Sequence, residues 1–469
     1  MKWLLLILAS ICTWFAYGQQ LDVEYPKYNA TQLQQDFDTL YQALRDNHPD
    51  LYAYWKKEAA DKTFAKSRKQ LDRPMTRQEF AITILPFVAK FKDGHSFLSV
   101  FDTEEMEQYL KAGGKIFPLR VAFINNRLYC SDVSFSHSKL KPGQEILAIN
   151  GVPGATIIKQ SIEIWSADGE ANAVATAQRL FSFGLWLRYN WGTLTEVTYL
   201  SDKGKVSEKV EGLPKDQYND FIYNTSNARQ LHLYKDVSLA VVEIRAYNNL
   251  QRSKTFIDSA FKVIKENNIQ HVALDLRKNG GGNSYIGDYF LGYINRKPYR
   301  TIASKRWRLG PLVASLPTDH WMRNSLNSAK EKWVATEAFL QSPVFDDQQP
   351  VMINDSNYYS NARFYLLTSA RTYSSAHMTA MAVKCANLGI IIGQPTGERL
   401  NLTGEILEKT LPCTKLKMVI PSASYISSCG NGKQVGVAPD HYVPISASDI
   451  KFNKDPELDY LRALIHSKN

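Results

Sequence analysis

The chain has 469 residues, 44% of them hydrophobic and 12% aromatic, and a formal net charge of +10. That length supports two or three domains around a large buried core, and that composition excludes a disordered chain. The positive charge is dispersed in short mixed runs such as "YWKKEAADK" and "AKEKW", with no basic stripe interleaved with aromatics, which argues against a nucleic-acid partner.

In chain order, "MKWLLLILASICTWFAYG" places Lys2 before a short apolar run and ends in Ala16-Tyr17-Gly18, so residues 1–18 read as a secretory signal with cleavage before Gln19. The run is short for a bilayer span. The mature form is therefore expected in the periplasm or outside the cell, with no stable membrane span. Residues 28–103 read as a helical domain, because "TQLQQDFDTLYQALRDNHP" and "TRQEFAITILPFVAKF" carry apolar residues at three- and four-residue spacing. Asn29 and Thr76 are the expected N-caps. The phrase "FKDGHSFLSVF" then breaks the helix and starts a strand, leaving His95 at an element boundary. Residues 105–225 read as β-rich, with "LKPGQEILAINGVP" as a turn, a buried strand and a tight Asn150-Gly151 turn. From 229 to 450, short apolar strands ("VSLAVVEI", "HVALDL", "FYLLTS", "LGIIIGQ") alternate with helices, the pattern of α/β units with right-handed crossovers. Residues 451–469 form a C-terminal helix or tail.

Two strand-to-helix junctions carry candidate chemistry. In "DLRKNGGGN", three glycines permit a tight turn that presents unhindered N–H groups to an anion, or simply a structural turn. No Gly-Lys-Ser/Thr follows, which excludes a phosphate-binding Walker loop. In "RTYSSAHMTAMAVK", Ser374 and Ser375 open a helix, either as caps or as the site of a nucleophile favoured by the helix dipole. His377 stands close by as a local base or as a residue of the helix surface or a pocket. The Gly-x-Ser-x-Gly elbow of α/β-hydrolases is absent. Beyond the signal, the cysteines are Cys130, Cys385, Cys413 and Cys429. Cys413 and Cys429 flank a strand-like stretch and are the candidate disulfide pair. No cysteine or histidine spacing suits a metal, so no metal or cofactor is called for.

The phrases "KDGH", "LKPGQEILAINGVP", "DLRKNGGG", "LLTSARTYSSAHMTAMAVK", "IIIGQPTG" and "GVAPDHYVP" occur in one order, and together they resemble the C-terminal processing (tail-specific) peptidase family. The match is nearest to its tricorn-like, retinoid-binding-protein-like branch. The resemblance implies an α/β fold with a crotonase-like ββα spiral core, an N-terminal helical segment and a PDZ-like β-rich domain. It makes Ser374 the nucleophile of a serine endopeptidase acting on peptide or unfolded protein. The lysine base of the tail-specific branch falls on Arg399, a side chain that stays protonated and excludes a Ser-Lys dyad. The tricorn-like branch takes its base from the "DGH" histidine, His95 here, and its oxyanion hole from the backbone N–H groups of Gly282 and Ser375. The glutamate that orients the histidine falls on Lys433, leaving Gln434 beside it as the candidate partner. Gly281, His377 and Lys433 are candidates to line the pocket. The missing carboxylate motivates a second reading, a catalytically weak or inactive peptide- or ligand-binding protein on the same fold.

Overall fold

The structure is a computed structural model that describes residues 23–467, apart from 102, 224–227, 346–357 and 360–361. The expected signal at 1–18 lies outside the described residues.

Two N-terminal helices start where sequence capping requires. Ala30–Asn47 and Arg77–Ala89 each open with a capping box, Asn29 with Gln32 and Thr76 with Glu79, satisfying the first free N–H groups reciprocally. Their apolar faces, including Leu33, Phe37, Phe80 and Phe87, share one core with Met418 and Ile420 of the long strand Lys417–Ser427. The chain leaves Arg77–Ala89, turns through Asp93-Gly94, and enters a short strand, Phe97–Ser99, that pairs antiparallel with Lys417, Met418 and Val419. This pairing carries His95 across the molecule to the C-terminal half.

That half is built on two six-stranded sheets. In one, Leu239–Ile244, His271–Asp275, Arg363–Thr368, Ile390–Gly393 and His441–Tyr442 run parallel, with Arg229–Tyr234 antiparallel at the edge. Leu239–Ile244 and His271–Asp275 are buried along their whole length, as strands covered on both faces must be. The second is antiparallel and is organised by Lys417–Ser427, which pairs with Leu402–Thr410, Ile302–Arg308 and Phe97–Ser99. Alternation of strands and helices predicted only the parallel sheet. The antiparallel one adds Ile302–Arg308 and Phe97–Ser99 to the hairpin of Leu402–Thr410 and Lys417–Ser427 by long-range pairing that has no local signal.

A third sheet contains Arg120–Ile124, Arg127–Asp132, Glu145–Ile149, Leu194–Ser201 and Gly204–Glu211. Asn150 and Gly151 both have positive φ, 46° and 77°, the left-handed pair of a tight hairpin that returns the chain into Val152–Pro153. Between these strands lie three helices, Gly154–Ile162, Glu170–Arg179 and Phe181–Tyr189. The last is apolar nearly all round, so it lacks the one-sided period by which a helix is read from sequence.

The disulfide differs from the expected pair. Cys385, at the end of the helix Ser375–Cys385, is bonded to Cys429, while Cys413 keeps a free thiol. Cys413 precedes the strand Lys417–Ser427 and Cys429 follows it. Eleven extended residues separate the two by roughly 35 Å, far beyond disulfide reach.

Candidate active site

The turn after Arg77–Ala89 is held by one buried carboxylate. Asp93 accepts hydrogen bonds from His48 Nε2 (2.6 Å), Ser96 Oγ (2.8 Å), Thr403 Oγ1 (2.8 Å) and its own neighbour's amide, His95 N (3.0 Å). His48 Nδ1 accepts from Asp50 N, which leaves the ring proton on Nε2 to meet Asp93. Burial alone would raise the Asp93 carboxyl, but the hydrogen bond from His48, with the nearby His95 ring and the Ser96 hydroxyl, outweighs it and holds it well below the usual carboxylate range.

Fixed in this way, His95 Nε2 stands 3.2 Å from Ser374 Oγ. Ser374 lies between the strand Arg363–Thr368 and the helix Ser375–Cys385 with φ 52° and ψ −128°, a conformation that a non-glycine residue adopts only under strain. Its amide donates to Glu398 Oε2 at 2.7 Å. The other oxygen of Glu398 lies 3.1 Å from His95 Nδ1, an ion-pair distance, although the N–H is bent out of hydrogen-bond alignment with it. Thr403 Oγ1, its own proton given to Asp93, lies 3.5 Å from the same nitrogen. A serine, a histidine and a fully buried glutamate are thus brought together.

Burial would by itself lower the His95 pKa; the Glu398 carboxylate against it, with Asp93 and Asp168 nearby, raises it to about 9. Burial likewise pushes Glu398 up from the usual carboxylate range, against the pull of the imidazolium.

Gln434, the expected partner of His95, does not reach it. Its amide donates to the Gly436 carbonyl in an exposed loop. The loop is nonetheless adjacent, since Leu400 N donates to Gln434 O and Gly436 N to Glu398 O. The acid beside His95 therefore stands on the facing segment, in "GQPTGER", one residue before the arginine at the lysine position. An acidic residue in a glycine-flanked turn soon after the serine was the signal for it.

The glycine loop is stitched against the serine. Asn279 binds the Ile244 carbonyl and the Gly281 amide through its side chain, and its carbonyl accepts from Tyr373 N. Gly281 and Gly282 have φ of 100° and 130°. A Cβ on Gly281 would stand 2.6 Å from Ser374 Cβ, and one on Gly282 would stand 2.2 Å from the Tyr247 carbonyl oxygen, so both positions require glycine. The Gly282 and Ser375 N–H groups have no hydrogen-bond acceptor among the described residues, while Ser375 Oγ donates to Gly282 O and locks the two segments together.

His377 is fully buried. Thr396 Oγ1 accepts from Val437 N and so gives its proton to His377 Nδ1, 2.7 Å away. Burial lowers the His377 pKa to about 3, leaving the ring neutral and structural. Lys433 is exposed, and of the residues expected to line a pocket neither it, His377 nor Gly281 lines the cavity beside the serine, where Gly280 stands instead.

One residue ties the whole site together and had no sequence signal. Asp168, buried between two helices of the third-sheet region, accepts from Gly94 N, from Tyr373 Oη and from Arg399 Nη1 (2.9 Å). Arg399 also covers the Tyr54 ring at 3.6 Å. Burial and the nearby carboxylates raise Asp168 to about 7. Asp168→Ala leaves a buried guanidinium without its carboxylate. The expected loss is about 3 kcal/mol, the lower end for breaking a buried pair because this acid ionises reluctantly. Chemical denaturation should show it as a lower midpoint.

Residues 238–443 match the family model described as peptidase family S41. No curated protein sequence matches the chain. Among solved structures, a mutant of CPAF shares the fold with a TM-score of 0.70 at 14% identity, over 93% of this chain and 97% of that one. Mature CPAF complexed with lactacystin aligns at TM-score 0.66 and 14% identity, over 93% and 98%. Ser374 and Glu398 fall within the matched segment, residues 238–443, and that segment belongs to peptidase family S41, which supports a serine-type peptidase acting on protein.

Proposed function

We propose that the protein is an exported endopeptidase that cleaves peptide bonds through an acyl-enzyme on Ser374. The observation that carries this reading is the 3.2 Å approach of His95 Nε2 to Ser374 Oγ, with Glu398 against the other ring nitrogen. Neutral His95 takes the serine proton as Oγ attacks the carbonyl carbon, and Glu398 stabilises the imidazolium that forms. The N–H groups of Gly282 and Ser375 receive the developing oxyanion. As the tetrahedral intermediate collapses, His95 returns the proton to the leaving amine, and water, deprotonated by the same ring, releases the acyl group.

The parts fall at 28–103 for the helical domain that supplies the base, 105–225 for a PDZ-like domain, and 229–450 for a crotonase-like core. Export is supported by the Cys385–Cys429 bond, which persists in oxidising compartments. With Glu398 beside His95, the missing carboxylate no longer favours an inactive binder.

The test uses protein purified without residues 1–18 and a fluorophosphonate probe. Mass spectrometry should place a single adduct on Ser374, and hydrolysis of an unfolded protein should fall in proportion to labelling. Hydrolysis that persists when Ser374 is fully modified overturns the assignment.

A further inference from the structure

A cavity of about 500 Å³ opens beside the nucleophile. Gly94, Gly280 and Tyr373 line it, each next in sequence to His95, the glycine loop or Ser374. One wall is apolar, formed by Phe97, Phe101, Ile164, Trp165 and Leu180, with Phe101 stacked on Trp165 at 6.0 Å. The lining also includes Arg179, Lys278 and Arg371.

These cations are not equally neutralised. Glu243 is shared, pairing with Arg245 at 2.7 Å and lying 3.8 Å from Lys278, and Arg120 faces Asp132 at 3.5 Å. The half-buried Arg371 side chain makes no hydrogen bond or ion pair among the described residues, and its charged neighbours are Arg179, Arg120 and Arg245. Burial together with these like charges lowers its pKa to about 10, so the guanidinium stays charged at neutral pH without a counterion. A half-buried cation left unpaired beside a cavity is a site for an anion from outside.

Resting on the peptidase reading above, we propose that this cavity is the specificity pocket and that Arg371 binds a substrate carboxylate there, while the aromatic wall holds the apolar part of the same or the neighbouring residue. The carboxylate comes from an Asp or Glu side chain near the scissile bond or from the substrate's own C-terminus. Both offer two oxygens to the guanidinium fork.

The experiment measures binding of peptides to the Ser374→Ala variant by calorimetry and cleavage of the same peptides by the native enzyme. One set moves a single Glu or Gln through each position around the scissile bond. The other compares a free C-terminal carboxylate with its amide. The anionic member of at least one set should bind and react on the order of 10- to 100-fold better, and that set identifies the source. Arg371→Gln should bring the ratio close to one, and Arg371→Lys should keep part of it. Equal binding of anionic and neutral peptides by the native pocket, or a ratio that survives Arg371→Gln, overturns the proposal. Charge-selective binding without any cleavage would instead overturn the peptidase reading and leave the pocket assignment standing.

Discussion

Ser374→Ala lowers kcat/KM for peptide hydrolysis by about 10⁴- to 10⁶-fold, leaving only the residual acceleration that a nucleophile-free site provides through binding and the oxyanion donors. The loss is nearly total because the three side chains act as one unit. Without Oγ, the proton that His95 is placed to accept does not exist, and water is not held at the serine's position. A second substitution separates chemistry from fold. Ser374 has φ 52° and ψ −128°, and the strain of such a conformation in a residue with a Cβ is on the order of 1–3 kcal/mol. Glycine adopts it freely, at an entropic cost in the unfolded chain of about 0.5–1 kcal/mol. Ser374→Gly should therefore be as inactive as Ser374→Ala yet more stable than it by about 1 kcal/mol, read as a higher denaturation midpoint. A glycine variant no more stable than the alanine one would show that the turn is not strained.

The short motifs of the sequence marked most of what this site uses, for physical reasons. Tight turns need particular residues, so the glycines at 281 and 282, the Asp93-Gly94 turn and the serines at a helix start were visible locally. The helices Ala30–Asn47 and Arg77–Ala89 were legible through capping and spacing. What brings these pieces together was not. His95 reaches Ser374 because Phe97–Ser99 pairs with a strand more than three hundred residues later, and antiparallel pairing leaves no local trace. Glu398 escaped for a related reason. The acid was sought at Lys433 and Gln434, whereas the backbone pairs that loop with the one carrying Glu398, so the carboxylate came from across a single rung. Asp168 and Arg371 were silent because a buried charge is recognised only by what surrounds it. The Cys413 assignment failed on distance: the stretch between the cysteines was read as strand-like, and an extended strand of that length holds its two ends too far apart to bond.

Glu398→Gln lowers kcat/KM by about 10²- to 10⁴-fold and moves the pH profile in a direction that separates an electrostatic role from a merely structural one. Glutamine keeps the size of the side chain and its amide oxygen can still accept from Ser374 N, so the turn survives. What disappears is the negative charge 3.1 Å from His95 Nδ1. With that charge present the His95 pKa is raised from 6.5 to about 9, and the base is neutral only above that pH. In the native enzyme kcat/KM therefore rises about tenfold per pH unit below 9 and levels off beyond it. Without the carboxylate, burial, already the largest single influence, is opposed only by Asp93 and Asp168, so the pKa falls and the rising limb of the variant moves to lower pH. The variant is then nearer its plateau at neutral pH than the native enzyme, which is still climbing there. Its rate is low there because the imidazolium formed in the transition state has lost its counter-charge, not because the base is protonated. The gap between the two enzymes widens as pH rises from 6 to 9, and a profile of kcat/KM over that range reads it directly. A rising limb that stays in place after the substitution would mean that Glu398 holds the serine's amide and has no hold on the histidine's proton.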